Sequence, residues 1–176
     1  EFTLYAAVAI QNGMENANDV LFELAQRVRG WGRIHIVERL EPARPEIKDW
    51  LLRRGFRNDV MDEYLACICA RKGGLHEALS RGQVDAELFD GAAGIIRALI
   101  SGGPAEDIDD YENAPQVISD FLRLAEEMCE TPQHLTALAA VRGFLEADDG
   151  RWSERLASGW TEALRTECLQ ACRRII

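Results

Sequence analysis

The chain lacks the features that would place it in a membrane or in the secretory pathway. No apolar run approaches the roughly 20 residues that span a bilayer, and no basic-then-apolar leader precedes a cleavage site. We therefore expect a cytoplasmic protein. The sequence starts without Met and inside a helical pattern. We expect a single domain over residues 1–176 that is a fragment of a longer chain.

Catalytic signatures are missing as well. The sequence has no G-x-S-x-G elbow, no phosphate-binding P-loop and no H-E-x-x-H pair. Its three histidines stand singly at positions 35, 76 and 134, and its five cysteines are an odd number without disulfide-framework spacing. We expect free, buried thiols in a reducing compartment. We also expect no catalytic residues, no metal ligands, no cofactor and no enzymatic activity.

The sequence does contain helix-length blocks, each ended by glycine or proline and restarted by a capping residue. The clearest restart is Thr131-Pro132, a hydroxyl cap followed by proline at the first helical position. No strand pattern separates the blocks. We predict an all-α fold of about ten helices, including one long helix over 152–174. These helices pair as about five irregular hairpins, with first helices near 33, 59, 85 and 132, which predicts degenerate repeats.

Charge is unevenly distributed along the chain. The net charge is -10, from 30 acidic and 20 basic residues, which disfavours general affinity for nucleic acid. Residues 27–57 nevertheless contain nine Lys or Arg and only four Asp or Glu. The acidic run 106–112 is interpreted as a solvated loop, with a docking site for a basic partner as the alternative.

The basic segment supplies the candidate binding residues. Trp31 joins them because its place between two glycines leaves it more open to exposure than the other tryptophans, and tryptophan is favoured in binding hot spots. The candidates are Trp31, Arg33, Arg44, Lys48, Arg53, Arg54 and Arg57. Two interpretations remain open: a solvated face paired with nearby carboxylates at helical spacing, or a groove that receives an acidic peptide or a phosphate.

One stretch of the basic segment carries a resemblance to a known class. The helix WGRIHIVERL (31–40), the turn PARP (42–45) and the helix PEIKDWLLRRG (45–55) resemble HEAT/armadillo-like helical repeat proteins. Together with YAAVAIQNG (5–13), they also resemble bacterial cytoplasmic proteins of uncharacterised function, some of which carry the label "limonene hydroxylase".

The resemblance implies an α-α superhelix whose function is to bind another macromolecule. We expect a non-catalytic scaffold for protein–protein interaction, with another protein as partner and no membrane. The alternative is a HEAT-like DNA-processing enzyme of the alkylpurine glycosylase type. The hydroxylase label implies an oxygenase, which needs a haem, a flavin or a non-haem iron centre. His35 and Glu38 could supply two iron ligands, but they are interpreted as surface helix residues.

Overall fold

The computed structural model describes residues 2–81 and 83–176, and it is all-helical over these ranges. The helices are α1 (Phe2–Gly13), α2 (Ala17–Arg27), α3 (Gly30–Arg39), α4 (Pro45–Trp50), α5 (Glu63–Gly73), α6 (Leu75–Ser80), α7 (Ala86–Ser101), α8 (Ala114–Met128), α9 (Pro132–Glu146), α10 (Trp152–Ala157) and α11 (Glu162–Ile175). A π-helical turn, Leu51–Gly55, continues α4. No strand occurs in the described residues, and the all-α prediction is confirmed.

Alternate helices in the first part of the chain are neighbours in space: α3 lies beside α1, α5 beside α3, α7 beside α5 and α9 beside α7. Helix α2 packs on α3 and α4 on α5, while α8 packs against α6 and α11, and α11 also contacts α9. One continuous cluster of buried apolar side chains extends from Ala7 to Cys172. The further step to a HEAT-like superhelix stays a prediction.

The helices are too short or too polar to span a membrane. Across residues 2–81 and 83–176, none combines the length and the apolar character that a bilayer crossing requires.

The predicted long helix over 152–174 is wrong, because a turn separates α10 from α11. Gly159 adopts a positive φ of 104°, which favours glycine over other residues. The Thr161 hydroxyl then accepts a hydrogen bond from the amide of Leu164 and starts α11. The turn places Trp160 inward, where it packs edge-on against Trp152 at 5.7 Å between ring centroids.

The acidic run 106–112 is a loop, as predicted, but its carboxylates are bound within the chain. Arg71 pairs with Glu106 at 2.6 Å and with Glu112 at 3.0 Å. Arg155, only 5% exposed, pairs with Asp109 at 2.7 Å. These ion pairs therefore anchor the acidic run to α5 and α10.

Glycines on α7 set the closest helix contact in the core. A Cβ built at Gly91 would collide with the carbonyl oxygen of Leu52 and lie 3.0 Å from the Cα of Arg53. A Cβ at Gly94 would lie 2.6 Å from the ring of Phe56. The backbone of the π-helical turn therefore approaches α7 to a distance that only glycine allows at position 91.

We predict that Gly91→Ala destabilises the protein by about 2–3 kcal/mol, because the new methyl group meets rigid backbone. The melting temperature should fall by roughly 5–10 °C in a thermal unfolding experiment. The matched control is Gly143→Ala, since Gly143 lies inside α9 and an added Cβ would meet nothing within 4 Å. That variant should be stabilised by up to about 1 kcal/mol through helix propensity. Equal melting temperatures for the two variants would contradict the packing argument.

Candidate binding site

A groove lined by arginines is formed by α3, the π-helical turn with the loop after it, α7 and α9. It consists of two adjoining depressions of about 460 and 400 Å³, which share Arg57 and Asp90. We call this feature the arginine groove and define it by its charged residues. They are Arg29, Arg33, Arg53, Arg54, Arg57 and Arg97 with Asp59, Asp62, Glu87 and Asp90. Four of the sequence-predicted candidates, Arg33, Arg53, Arg54 and Arg57, thus lie in one place.

Arg33 uses its donors within the protein. Its Nε donates to the carbonyls of Ala25 and Val28 at 3.1 and 3.0 Å, and its Nη1 donates to the carbonyl of Arg57 at 2.7 Å. The guanidinium also lies 5.7 Å from the ring centroid of Trp50. Burial lowers the pKa of Arg33, but an arginine stays protonated in such a setting. Arg33 therefore joins the end of α2 to the segment after the π-helical turn.

Arg53 is likewise committed to internal partners. Its side chain, 17% exposed, forms two hydrogen bonds to the Asp85 carboxylate, at 2.5 and 3.0 Å, and a third to Asp49 at 2.7 Å. Asp85 also caps α7 by accepting from the amide of Leu88 at 2.9 Å. The Arg53 hydrogen bonds, followed by that of Leu88, lower the pKa of Asp85. Arg53 therefore ties the π-helical turn to the start of α7.

Arg54 and Arg57 are exposed to the groove. Arg54 pairs with Glu87 at 2.6 Å and stays largely open to solvent. The Arg57 guanidinium lies 5.3 Å from the ring centroid of Phe56, and it has no carboxylate within 4.0 Å among residues 2–81 and 83–176. Arg57 is thus the groove cation best placed to meet an external anion.

The three remaining candidates lie elsewhere. Arg44 pairs with Asp19 at 2.9 Å. Lys48 lines a separate depression of about 580 Å³ together with Arg71. Trp31 is half exposed and contacts Tyr64, with ring centroids 5.0 Å apart. The seven candidates therefore do not line one depression: four lie in the arginine groove, Lys48 lines another depression, and Arg44 and Trp31 line neither.

Sequence reasoning missed the groove residues that α7 contributes. Asp90 and Arg97 line the groove together with Arg57, although they lie more than 30 positions away in the sequence, and no local spacing predicts that they share a site. Asp90 accepts a hydrogen bond of 2.6 Å from Nε2 of the buried His134. The Nδ1 of His134 accepts from the amides of Glu130 and Thr131, so Nε2 carries the hydrogen. The structure therefore holds the Asp90 carboxylate in place at the groove.

The groove offers no evident metal site or reactive thiol. Over the described parts of the chain, no three His, Cys, Asp or Glu side chains are grouped to hold a metal ion. His35 and Glu38 form a surface pair at 3.6 Å. The five cysteines are unbonded, and burial raises the pKa of Cys67 and Cys168 to about 12. Such thiols are protonated and unreactive at neutral pH.

Comparison with family models, with curated proteins and with solved structures finds no match for this chain.

We predict that Arg53→Gln lowers the free energy of unfolding at pH 7, because the variant loses the ion pair with Asp85. The loss should be only about 1 kcal/mol, since Asp85 is largely exposed and solvent screens the pair. Asp85 has a lowered pKa in the folded state. Its pairing therefore stabilises above the unfolded-state pKa of about 3.9 and is lost as pH falls through the folded-state value. The difference in free energy of unfolding between wild type and variant should therefore become smaller as pH drops from about 5 to 3.

Urea unfolding at several pH values measures this gap. Arg54→Gln is the control, since Arg54 pairs with the single acid Glu87 at the surface. Its effect should stay below about 0.5 kcal/mol at every pH. A gap for Arg53→Gln that does not change with pH would show that Asp85 is not the partner that matters.

Proposed function

We propose that this chain is a non-catalytic binding domain of the HEAT-like type, whose arginine groove receives an acidic segment of a partner protein. The observation that carries the proposal is the location of Arg57, an exposed arginine without a carboxylate partner in the described residues, where the two depressions of the groove meet. A location in the cytoplasm and independence from cofactors are part of the same proposal.

The charge of the groove supports an acidic ligand. Its lining has six arginines and four acids, an excess of positive charge, whereas the whole chain has a net charge of -10. A local excess of this kind raises the concentration of a complementary charge and speeds association. The groove is therefore a local exception to the repulsion that the rest of the molecule exerts on anions.

The limited size of this excess favours a protein segment over a nucleic acid. Affinity for nucleic acid grows with the number of phosphates that lysine and arginine neutralise. In this groove Arg29, Arg54 and Arg97 each pair with a carboxylate within 4.0 Å. An acidic peptide can be selected by fewer charge contacts than a phosphate backbone, and Arg57 with a neighbour can provide them.

A second candidate, a DNA-processing enzyme of the alkylpurine glycosylase type, is favoured by one observation. Asp90 places a carboxylate at the centre of the groove, and His134 orients it. A carboxylate can stabilise the positive charge that develops when a glycosidic bond breaks. An oxygenase function gains no such support, and it is not proposed.

The proposal predicts that a protein captured from native cell lysate is lost when Arg54 and Arg57 are both changed to Gln. Recovery should fall about tenfold and should also fall as salt is raised, because exposed charges are screened. The matched control changes Arg27 and Arg142 to Gln, since each forms an exposed i,i+4 pair with Glu23 or Glu146. This control alters net charge equally and should leave recovery unchanged.

Half of the lysate is treated with nuclease to separate the two candidates. A partner that survives nuclease and depends on the groove supports the protein-binding proposal, and equal recovery by both double variants contradicts it. Loss of all captured partners on nuclease treatment would favour the second candidate. Base release from alkylated duplex DNA, compared between wild type and Asp90→Asn, then decides that candidate.

A further inference from the structure

The loop between the π-helical turn and α5 is held rigid by one buried side chain. Asn58 is 1% exposed, and its Nδ2 donates to the carbonyls of Phe56 and Met61 at 3.1 and 2.8 Å. Its Oδ1 accepts from the amides of Val60 and Met61 at 2.9 and 3.0 Å. Four hydrogen bonds from one side chain fix the backbone of residues 56–61.

Neighbouring elements fix the same loop from outside. The amide of Gly30 donates to the carbonyl of Asn58 at 2.6 Å, and Arg33 donates to the carbonyl of Arg57. Asp59, which directly follows Arg57 and Asn58 in the chain, adopts a positive φ of 68°, which residues other than glycine seldom take. Such backbone persists only where the surroundings impose it, and it concentrates at functional sites.

The rigid loop presents apolar side chains to solvent. Val60 and Met61 are 38% and 40% exposed. Val60 lies beside Gly30, since a Cβ built at Gly30 would be 4.0 Å from its Cγ2 atom. Trp31 follows Gly30 in the chain, and its ring contacts Tyr64. We call Trp31, Val60, Met61 and Tyr64 the apolar patch.

The apolar patch adjoins the arginine groove through Asp59, which lines the groove and directly precedes Val60. Arg29 and Arg57 lie on the groove side of this boundary. Tryptophan, tyrosine and arginine are the residue types that contribute most to binding hot spots. The site thus has cations on one side and an apolar surface on the other, and the rigid loop 56–61 fixes the distance between them.

We propose that the partner segment carries, beside its acidic residues, one large apolar side chain that packs on the apolar patch. This inference rests on the proposed function and adds the chemistry of the ligand to it. The occupant is an acidic peptide and not an anionic membrane surface, because a short peptide can meet the groove alone, whereas an extended membrane also faces the acidic remainder of a chain with net charge -10. Arg29 and Arg57 supply the charge complementarity that selects acidic segments.

The experiment is selection of displayed random dodecapeptides on the folded chain, followed by affinity measurement with the enriched peptides. We expect peptides with several Asp or Glu and one aromatic or large aliphatic residue. Their affinity should drop about tenfold or more for the double variant Val60→Ser, Met61→Ser, because apolar area is no longer buried. The backbone of the loop stays fixed by Asn58, and circular dichroism with thermal unfolding verifies the fold of the variant.

The matched control is the double variant Val8→Ser, Met14→Ser. Val8 and Met14 are the same residue types with nearly the same exposure, 39% and 45%, at α1 and just after it. Affinity for the enriched peptides should change less than twofold in this control. An equal loss in both double variants would overturn the inference.

The outcomes also separate this inference from the proposed function. Acidic peptides without any preference for an apolar residue, bound through Arg57, would overturn the inference and leave the proposed function standing. Enriched peptides without acidic residues, or no enrichment, would count against both. Enriched acidic peptides that need Val60 and Met61 support both.

Discussion

The close contact between α7 and the π-helical turn determines where the rest of the candidate site lies. Gly91 lets the α7 backbone reach the carbonyl of Leu52, and Gly94 makes room for Phe56. Arg53 follows Leu52 directly in the chain, so this close contact also sets the positions of the arginines that come after it. The widened π-helical turn is one of the irregularities that often accompany functional sites. Packing and site geometry therefore depend on the same few atoms.

Arginine has two different roles in this molecule, and the structure separates them by the partners of the guanidinium. Arg33, Arg53 and Arg155 bind carbonyls or carboxylates with several nitrogens at once. Such forked geometry joins elements that are distant in sequence, and a lysine could not reproduce it. Arg54 and Arg57 lie close to Arg53 in sequence but are exposed. The basic segment 27–57 thus supplies both arginines that join elements inside the fold and arginines that present charge to solvent.

Sequence periodicity predicted the helices because helix formation is local, and Thr131-Pro132 started α9 where capping chemistry placed it. The same reasoning wrongly predicted one helix in place of α10 and α11. Apolar residues recur at helical spacing on both sides of Gly159, and this pattern was given more weight than the glycine in the turn after α10. The candidate site was only partly predictable. Arg57 could be proposed from local charge, whereas Asp90 joins it through packing between α7 and the π-helical turn. No pattern within one helix contains that information.

If the proposed function holds, the site would let a strongly acidic chain bind an acidic partner with selectivity. Most groove arginines have carboxylate partners, so long-range attraction is modest and screened within about 8 Å at physiological salt. Charge would then orient the partner, and an apolar contact would have to supply most of the residence time. A preorganised loop would support both roles, charge for orientation and apolar contact for residence time, since the Asn58 hydrogen bonds order the loop without a ligand. A flexible loop would lose that entropy on binding, and a small apolar surface could not offset the loss.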